Sequence, residues 1–298
     1  MAVDGAPEAR SGSLQGRLAR LGFADSARAV RLLSDPGLVA LDDDAVADLA
    51  LAPDPDLALT ALSRIADANA GARELVDALD SDPELRARIY AVLGTSIAFG
   101  DHLVRHPGDW RVLVRERAST AGEEGPPSAP LELADAAAVR AELLRAVGAD
   151  PGSAVPTAAV YDAAALDALR AAYRRRQLHI AAADIADGEE FPRIAAALAD
   201  LADATLEAAL AIARAEHPDD AARARLAVVA MGKCGGRELN YISDVDVLYV
   251  VEPVEGVEEI EAVQSATRLA QSLMRACVTP TAEGTIWEVD PNLRPEGK

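Results

Sequence analysis

Apolar and polar residues divide this 298-residue chain into a long stretch of helical periodicity and a short C-terminal stretch where the period becomes that of strands. Between residues 14 and 69 the helical pattern is broken at Asp35-Pro36 and at Pro53-Asp-Pro55, which predicts several short helices with Asp or Ser available as caps. Ser81-Asp-Pro-Glu-Leu marks another start, with Pro83 early in a helix expected to reach about Phe99. Residues 131–147 predict an amphipathic helix, and residues 165–186 and 191–216 two long alanine-rich ones whose Leu, Ile and Val positions keep the helical period. Residues 1–12 read as a disordered tail, and residues 120–130, rich in Gly, Glu, Pro and Ser, as a flexible loop.

The period then changes. Arg-Leu-Ala-Val-Val-Ala-Met over residues 225–231 is a short β-branched and apolar run that suits a buried strand ending at Gly232. Gly232, Gly235 and Gly236 have no Cβ and can take positive φ, and Arg237-Glu-Leu239 predicts a short helix after them. Residues 243–251 alternate and then become continuously apolar, as in a strand entering a core from a wet end. A helix follows over 258–277, with Ile260, Val263, Thr267, Ala270, Leu273 and Met274 on its apolar face, and Pro280 separates it from a strand over 285–290. The expected fold is α+β: a mainly helical region over 13–220, then a core over 221–298 with a small mixed β-sheet flanked by helices.

Composition refines this picture. Half the residues are hydrophobic but only 3% are aromatic, so the core must come from Ala, Leu and Val, which favours closely packed helices. A net charge of −20 is opposite to what a phosphate-backbone binder needs, so no nucleic acid is expected as a partner. There is no run of membrane-spanning length and no apolar leader, which suggests a cytoplasmic protein without a membrane partner. Cys234 and Cys277 are too few for a disulfide framework and are read as free thiols. His102, His106, His179 and His217 are expected at helix ends or on the surface.

The candidate chemistry lies around the glycines. In an extended strand Asp244 and Asp246 project to the same side, about 7 Å apart along the backbone, while Val245 and Val247 point inward. Two such carboxylates repel unless a cation lies between them, and hard oxygen ligands favour Mg²⁺ or Mn²⁺. Asp290 completes a three-carboxylate site if its strand pairs beside the Asp-x-Asp strand; otherwise it is a strand-end residue before Pro291. The glycine turn offers backbone amides to phosphate, and Lys233 adds a positive charge. An isolated Asp-x-Asp is often only a solvated turn, and the adjoining glycine turn is what argues for nucleotide chemistry here. The Arg174-Arg175-Arg176 run reads first as a solvated, salt-bridged face and second as a contact for nucleotide or protein substrate.

Gly232-Lys233 followed after ten residues by Asp244-Val-Asp246 resembles the signature of polymerase-β-type nucleotidyltransferases, although Lys233 departs from their usual Gly-Ser or Gly-Gly. The longer text, from Met231-Gly-Lys-Cys-Gly-Gly-Arg-Glu-Leu-Asn240 through the acid pair to Asp290-Pro-Asn-Leu-Arg294-Pro-Glu-Gly297, is similar to the bifunctional glutamine synthetase adenylyltransferase/adenylyl-removing family, in which Lys after the first glycine is normal. Cys234 and Asn292 depart from that family's more common aliphatic residue and arginine. Weaker similarity covers 97–107, 169–184 and 198–203. The family's motif continues past Gly297 into further residues and a second catalytic half, so this chain is expected to be a fragment, and its Met1 start points to the N-terminal half.

The resemblance implies metal-dependent adenylyl transfer on glutamine synthetase, with a PII-type signalling protein as a further partner. The family's N-terminal half removes AMP: orthophosphate attacks adenylyl-tyrosine and ADP leaves. The C-terminal half adds AMP from ATP. On this reading Asp244, Asp246 and Asp290 are catalytic and hold the metal, while Gly232, Lys233, Gly235, Gly236, Ser243 and Arg294 bind nucleotide or phosphate. Two alternatives remain open at this level: a related nucleotidyltransferase with another substrate, and a non-catalytic module that senses nucleotide or docks a partner.

Overall fold

A computed structural model describes residues 13–68, 72–114 and 132–292; the expected tail over 1–12, the expected loop over 120–130, and Arg294 lie outside them. The chain divides into two compact units, Met1–Gly122 and Glu123–Lys298.

The first unit is helical. It contains α1 (Leu14–Arg20), α2 (Ser26–Leu33), α3 (Asp43–Leu49), α4 (Pro55–Ala68), α5 (Ala72–Ser81), α6 (Pro83–Leu93), α7 (Ile97–Arg105) and a 3₁₀ turn at Asp109–Leu113. Asp25, Asp42 and Asp82 each turn a carboxylate onto the first amides of the following helix, so part of the negative charge is spent on capping. α4 packs against α2, α5, α6 and α7 and buries Leu59, Leu62 and Ile65. The single helix expected from Pro83 to Phe99 is two helices. Gly94 ends α6, and a Cβ there would stand 2.9 Å from the Ala52 Cβ and 3.1 Å from the Asp54 carbonyl oxygen, so the close approach of that chain requires glycine. His102 lies in the last turn of α7, as a helix-end residue, but it is fully buried, and its Nε2 lies 2.8 Å from an Asp109 carboxylate oxygen.

The second unit has an α+β fold. Helices α8 (Ala136–Ala146), α9 (Ala163–Ile185), α10 (Phe191–Glu216) and α11 (Pro218–Ala221) lead into β1 (Ala224–Ala230), α12 (Gly232–Gly235), β2 (Val245–Pro253), α13 (Glu259–Val278) and β3 (Val289–Asp290). The α8 helix begins later than the apolar pattern implied because Asp135 caps it, accepting from the Ala138 amide at 2.7 Å. At the centre, α10 packs against α8, α9 and α13. Its buried Ala195, Ala199, Ala202, Ala208 and Ala209 let those neighbours approach closely, which is how a core with few aromatic residues is filled.

The sheet order is β1-β2-β3. β1 and β2 are antiparallel, with Ala230 opposite Val247, and β2 and β3 are parallel, with Val245 opposite Val289 and Asp246 opposite Asp290. The face expected on α13 is buried in its C-terminal half, at Ala270 and Leu273, and not in its N-terminal half. Ile260, Val263 and Thr267 are exposed, and Ala262, Ser265, Ala266, Leu269 and Leu273 are buried. Small residues are preferred inside because the helix lies close against both sheet and α10.

Arg170 of α9 fixes the way back from α13 to β3. It is 2% exposed, and its guanidinium donates to the carbonyls of Leu166, Ala276, Thr279 and Gly284. The arginine run resolves mainly into ion pairing, since Arg175 and Arg176 both bind Glu142 of α8.

Candidate functional site

The site stands at one end of the sheet. β2 begins at Val245, buried like Val247, so the intervening Asp246 faces the other way, and Asp244 lies just before the strand on that same side. β3 brings in Asp290 directly beside Asp246. One carboxylate oxygen from each of Asp244, Asp246 and Asp290 lies within 4.8 Å of the others, so the sequence-predicted acids form one cluster. The backbone holds two of them firmly: the Met231 amide donates to the Asp246 carbonyl at 2.8 Å, and the Asn292 amide donates to the Asp290 carboxylate at 2.7 Å. Ser243 Oγ reaches an Asp244 carboxylate oxygen at 3.4 Å.

Gly232 adjoins the cluster. Its φ is 53°, and a Cβ would fall 2.2 Å from Asp246 Oδ2, so only hydrogen fits between turn and acid. A Cβ on Gly235 would fall 2.4 Å from the Ala230 carbonyl oxygen, which makes that glycine a packing requirement at the end of β1. Two expectations about this turn are corrected. The short helix spans Gly232–Gly235 rather than Arg237-Glu-Leu239, and positive φ occurs at Gly232 and at Arg237 (58°), not at Gly235 or Gly236. The helix starts early because the Gly235 amide already bonds the Met231 carbonyl at 2.9 Å, and it stops where Arg237 turns left-handed. Lys233 is exposed on this turn.

Behind the turn stand three carboxylates to which sequence reasoning assigned no role. Arg237 donates through both terminal nitrogens to Asp200 at 2.5 and 2.8 Å. Tyr241 Oη donates to Asp184 at 2.9 Å, and the Cys234 thiol lies 3.8 Å from Asp203. Burial, with the Asp203 charge beside it, pushes the Cys234 thiol up to about 12, so it stays protonated and is not a nucleophile at neutral pH. Burial and then the bond to Asp184 raise Tyr241. Asp200 and Asp203 are three residues apart on α10, a spacing that puts two acids on one side of an otherwise alanine-rich helix. That was the available signal. Cys277, the other free thiol, is wholly buried and likewise pushed up to about 12.

Three convergent carboxylates beside a turn too tight for a side chain are a donor set that suits a hard divalent cation of the Mg²⁺ or Mn²⁺ kind. No helix among the described residues is long and apolar enough to cross a membrane.

Residues 88–298 match the model of the family described as Glutamate-ammonia ligase adenylyltransferase. The chain is similar to a bifunctional glutamine synthetase adenylyltransferase/adenylyl-removing enzyme of Streptomyces avermitilis, 47% identical over 298 residues, with 98% of this chain and 27% of that protein covered. The enzyme of the same description from Streptomyces coelicolor is 45% identical over 290 residues, covering 95% and 26%. That from Mycobacterium avium is 40% identical over 290 residues, covering 94% and 26%. The chain thus spans about a quarter of the length of these curated relatives. With the family model matched over more than half its residues, the chain belongs to the glutamate–ammonia ligase adenylyltransferase family.

Proposed function

We propose that this chain carries an adenylyl-transfer site acting on glutamine synthetase, in the direction that removes AMP from a modified tyrosine. The observation that supports it is the cluster of Asp244, Asp246 and Asp290 against Gly232, in a chain of this family. An orthophosphate oxygen attacks the α-phosphorus of adenylyl-tyrosine, the bond from phosphorus to the phenolic oxygen breaks, and ADP and free tyrosine result. The phenol is a tolerable leaving group because its pKa is about 10.

In such substitutions positioning and charge neutralisation carry most of the catalysis. Asp244, Asp246 and Asp290 would hold Mg²⁺ or Mn²⁺, which would supply positive charge to offset that on the phosphoryl oxygens and the leaving phenolate. Lys233 and the backbone of the turn at Gly232, Gly235 and Gly236 hold phosphate, Ser243 steadies Asp244, and Arg294 is assigned to the nucleotide. Glutamine synthetase is the protein substrate, and a PII-type signalling protein is assigned to the full-length enzyme as its regulator.

The test is incubation with adenylylated glutamine synthetase, Mg²⁺ and phosphate, following ADP release, for the chain and for its Asp246→Asn variant. A loss of at least about 10²-fold is expected, by comparison with removal of one preorganised electrostatic group. Unchanged ADP release would sink the assignment. A parallel reaction with unmodified substrate and ATP checks direction: AMP incorporation there, without ADP release in the first, would reverse it.

A further inference from the structure

Two of the three clustered acids are held by the sheet itself, Asp246 within β2 and Asp290 within β3. Asp244 precedes β2, so its place depends on the path of residues 238–243. That segment is tied to α9 by Tyr241, which donates to Asp184, and the residue that leads into it, Arg237, is tied to α10 by Asp200.

Arg237 carries the argument. At φ 58° it has the backbone conformation that glycine adopts freely and an L side chain does not, immediately after Gly235 and Gly236. A side chain that accepts such strain must return something, and the contact it makes is a two-nitrogen grip on Asp200, whose side chain is only 12% exposed. Fork-to-carboxylate pairing fixes direction as well as distance. We infer that Arg237, through Asp200, is a positioning residue that sets the loop leading to Asp244 and thereby closes the acid cluster. Its side chain is spent on Asp200. It determines where the first acid stands.

Arg237→Gly keeps the left-handed turn, which glycine adopts without strain, and removes the grip. In the chain, Arg237→Gly, Asp200→Ala and the double variant are compared by hydrogen exchange over residues 238–244, by Mn²⁺ titration and by turnover. Each single variant is expected to speed exchange by about tenfold or more, the scale of a lost charge-assisted hydrogen bond at a half-exposed site. Each should weaken Mn²⁺ binding and lower kcat more than it changes KM. The double variant should be no worse than either single, because the two residues act as one unit. Arg237→Lys, which keeps the charge, should recover part of the loss.

Exchange and Mn²⁺ binding equal to the parent's in Arg237→Gly would show that only the backbone turn matters and overturn the proposal. So would strictly additive effects, or a general loss of cooperative melting, which would make the pair a fold element. The Mn²⁺ and turnover arms rest on the adenylyl-transfer reading, whereas the exchange arm does not. An inactive parent would therefore end that reading and leave the anchoring result standing.

Discussion

Helix α10 and the loop that joins β1 to β2 lie side by side and are built on opposite terms. The helix is 26 residues long, and its buried face is alanine with Leu198, Leu201, Leu206 and Ile212. The loop is mostly exposed, contains three glycines and is held by polar contacts at Arg237 and Tyr241. Apolar burial is diffuse, so the scaffold's stability is shared among many residues. The site is set by a few steric and polar constraints, each decisive for geometry and small in stability. The two meet on α10, where Asp200 and Asp203 turn a structural helix toward the loop.

The largest expected effect lies on the scaffold side. Ile212 is fully buried, and Ile212→Ala is expected to cost about 2–5 kcal/mol in chemical denaturation. The remaining folded molecules should bind Mn²⁺ as the parent does; a selective loss of metal affinity would blur the division. Next comes Gly232→Ala. Its Cβ would meet Asp246 Oδ2 at 2.2 Å, so the acid must move, and turnover is expected to fall by about 10²-fold, as for a misplacement of roughly 1 Å. Its cost in stability is expected near 1 kcal/mol, from the strain of positive φ. Comparable damage to folding and turnover would erase the contrast.

The smallest effect concerns pH. Hydrogen bonds from Arg268 hold the Asp220 carboxyl below the usual carboxylate range. A lowered folded pKa gives stability that is present above the unfolded value of about 3.9 and lost as pH falls through the folded one. Asp220→Asn should therefore lower stability slightly at neutral pH and flatten the acid side of the stability profile. An unaltered acid limb would show that the exposed Arg268 contributes nothing there.

What the sequence made legible follows from which signals are local. β1 and β2 were readable because alternation and β-branching mark them, and α10 spans 191–216 as its periodicity predicts. The grouping of Asp290 with Asp244 and Asp246 followed from the two-residue period once its strand was placed beside β2. The break at Gly94 was missed because its cause is the approach of Ala52 and Asp54, distant in sequence. On α13 the expected Ala270 and Leu273 are buried, but in the first half hydrophobicity favours Ile260 and Val263 while close packing selects Ala262, Ser265 and Ala266. Arg237 at positive φ was illegible for the same reason, since its compensation comes from Asp200, 37 residues earlier.

The parallel pairing of β2 with β3 has a consequence for insertions and deletions. Asp246 meets Asp290 through a ladder only two residues long, with Val245 and Val289 buried on its other face. Side chains along a strand alternate, so a slip of β3 by one residue against β2 would turn Asp290 inward, and a slip of two would carry it about 7 Å along the strand, out of the ladder and away from Asp246. A length change between α13 and β3 therefore keeps the acids together only where the connection absorbs it and leaves that register in place.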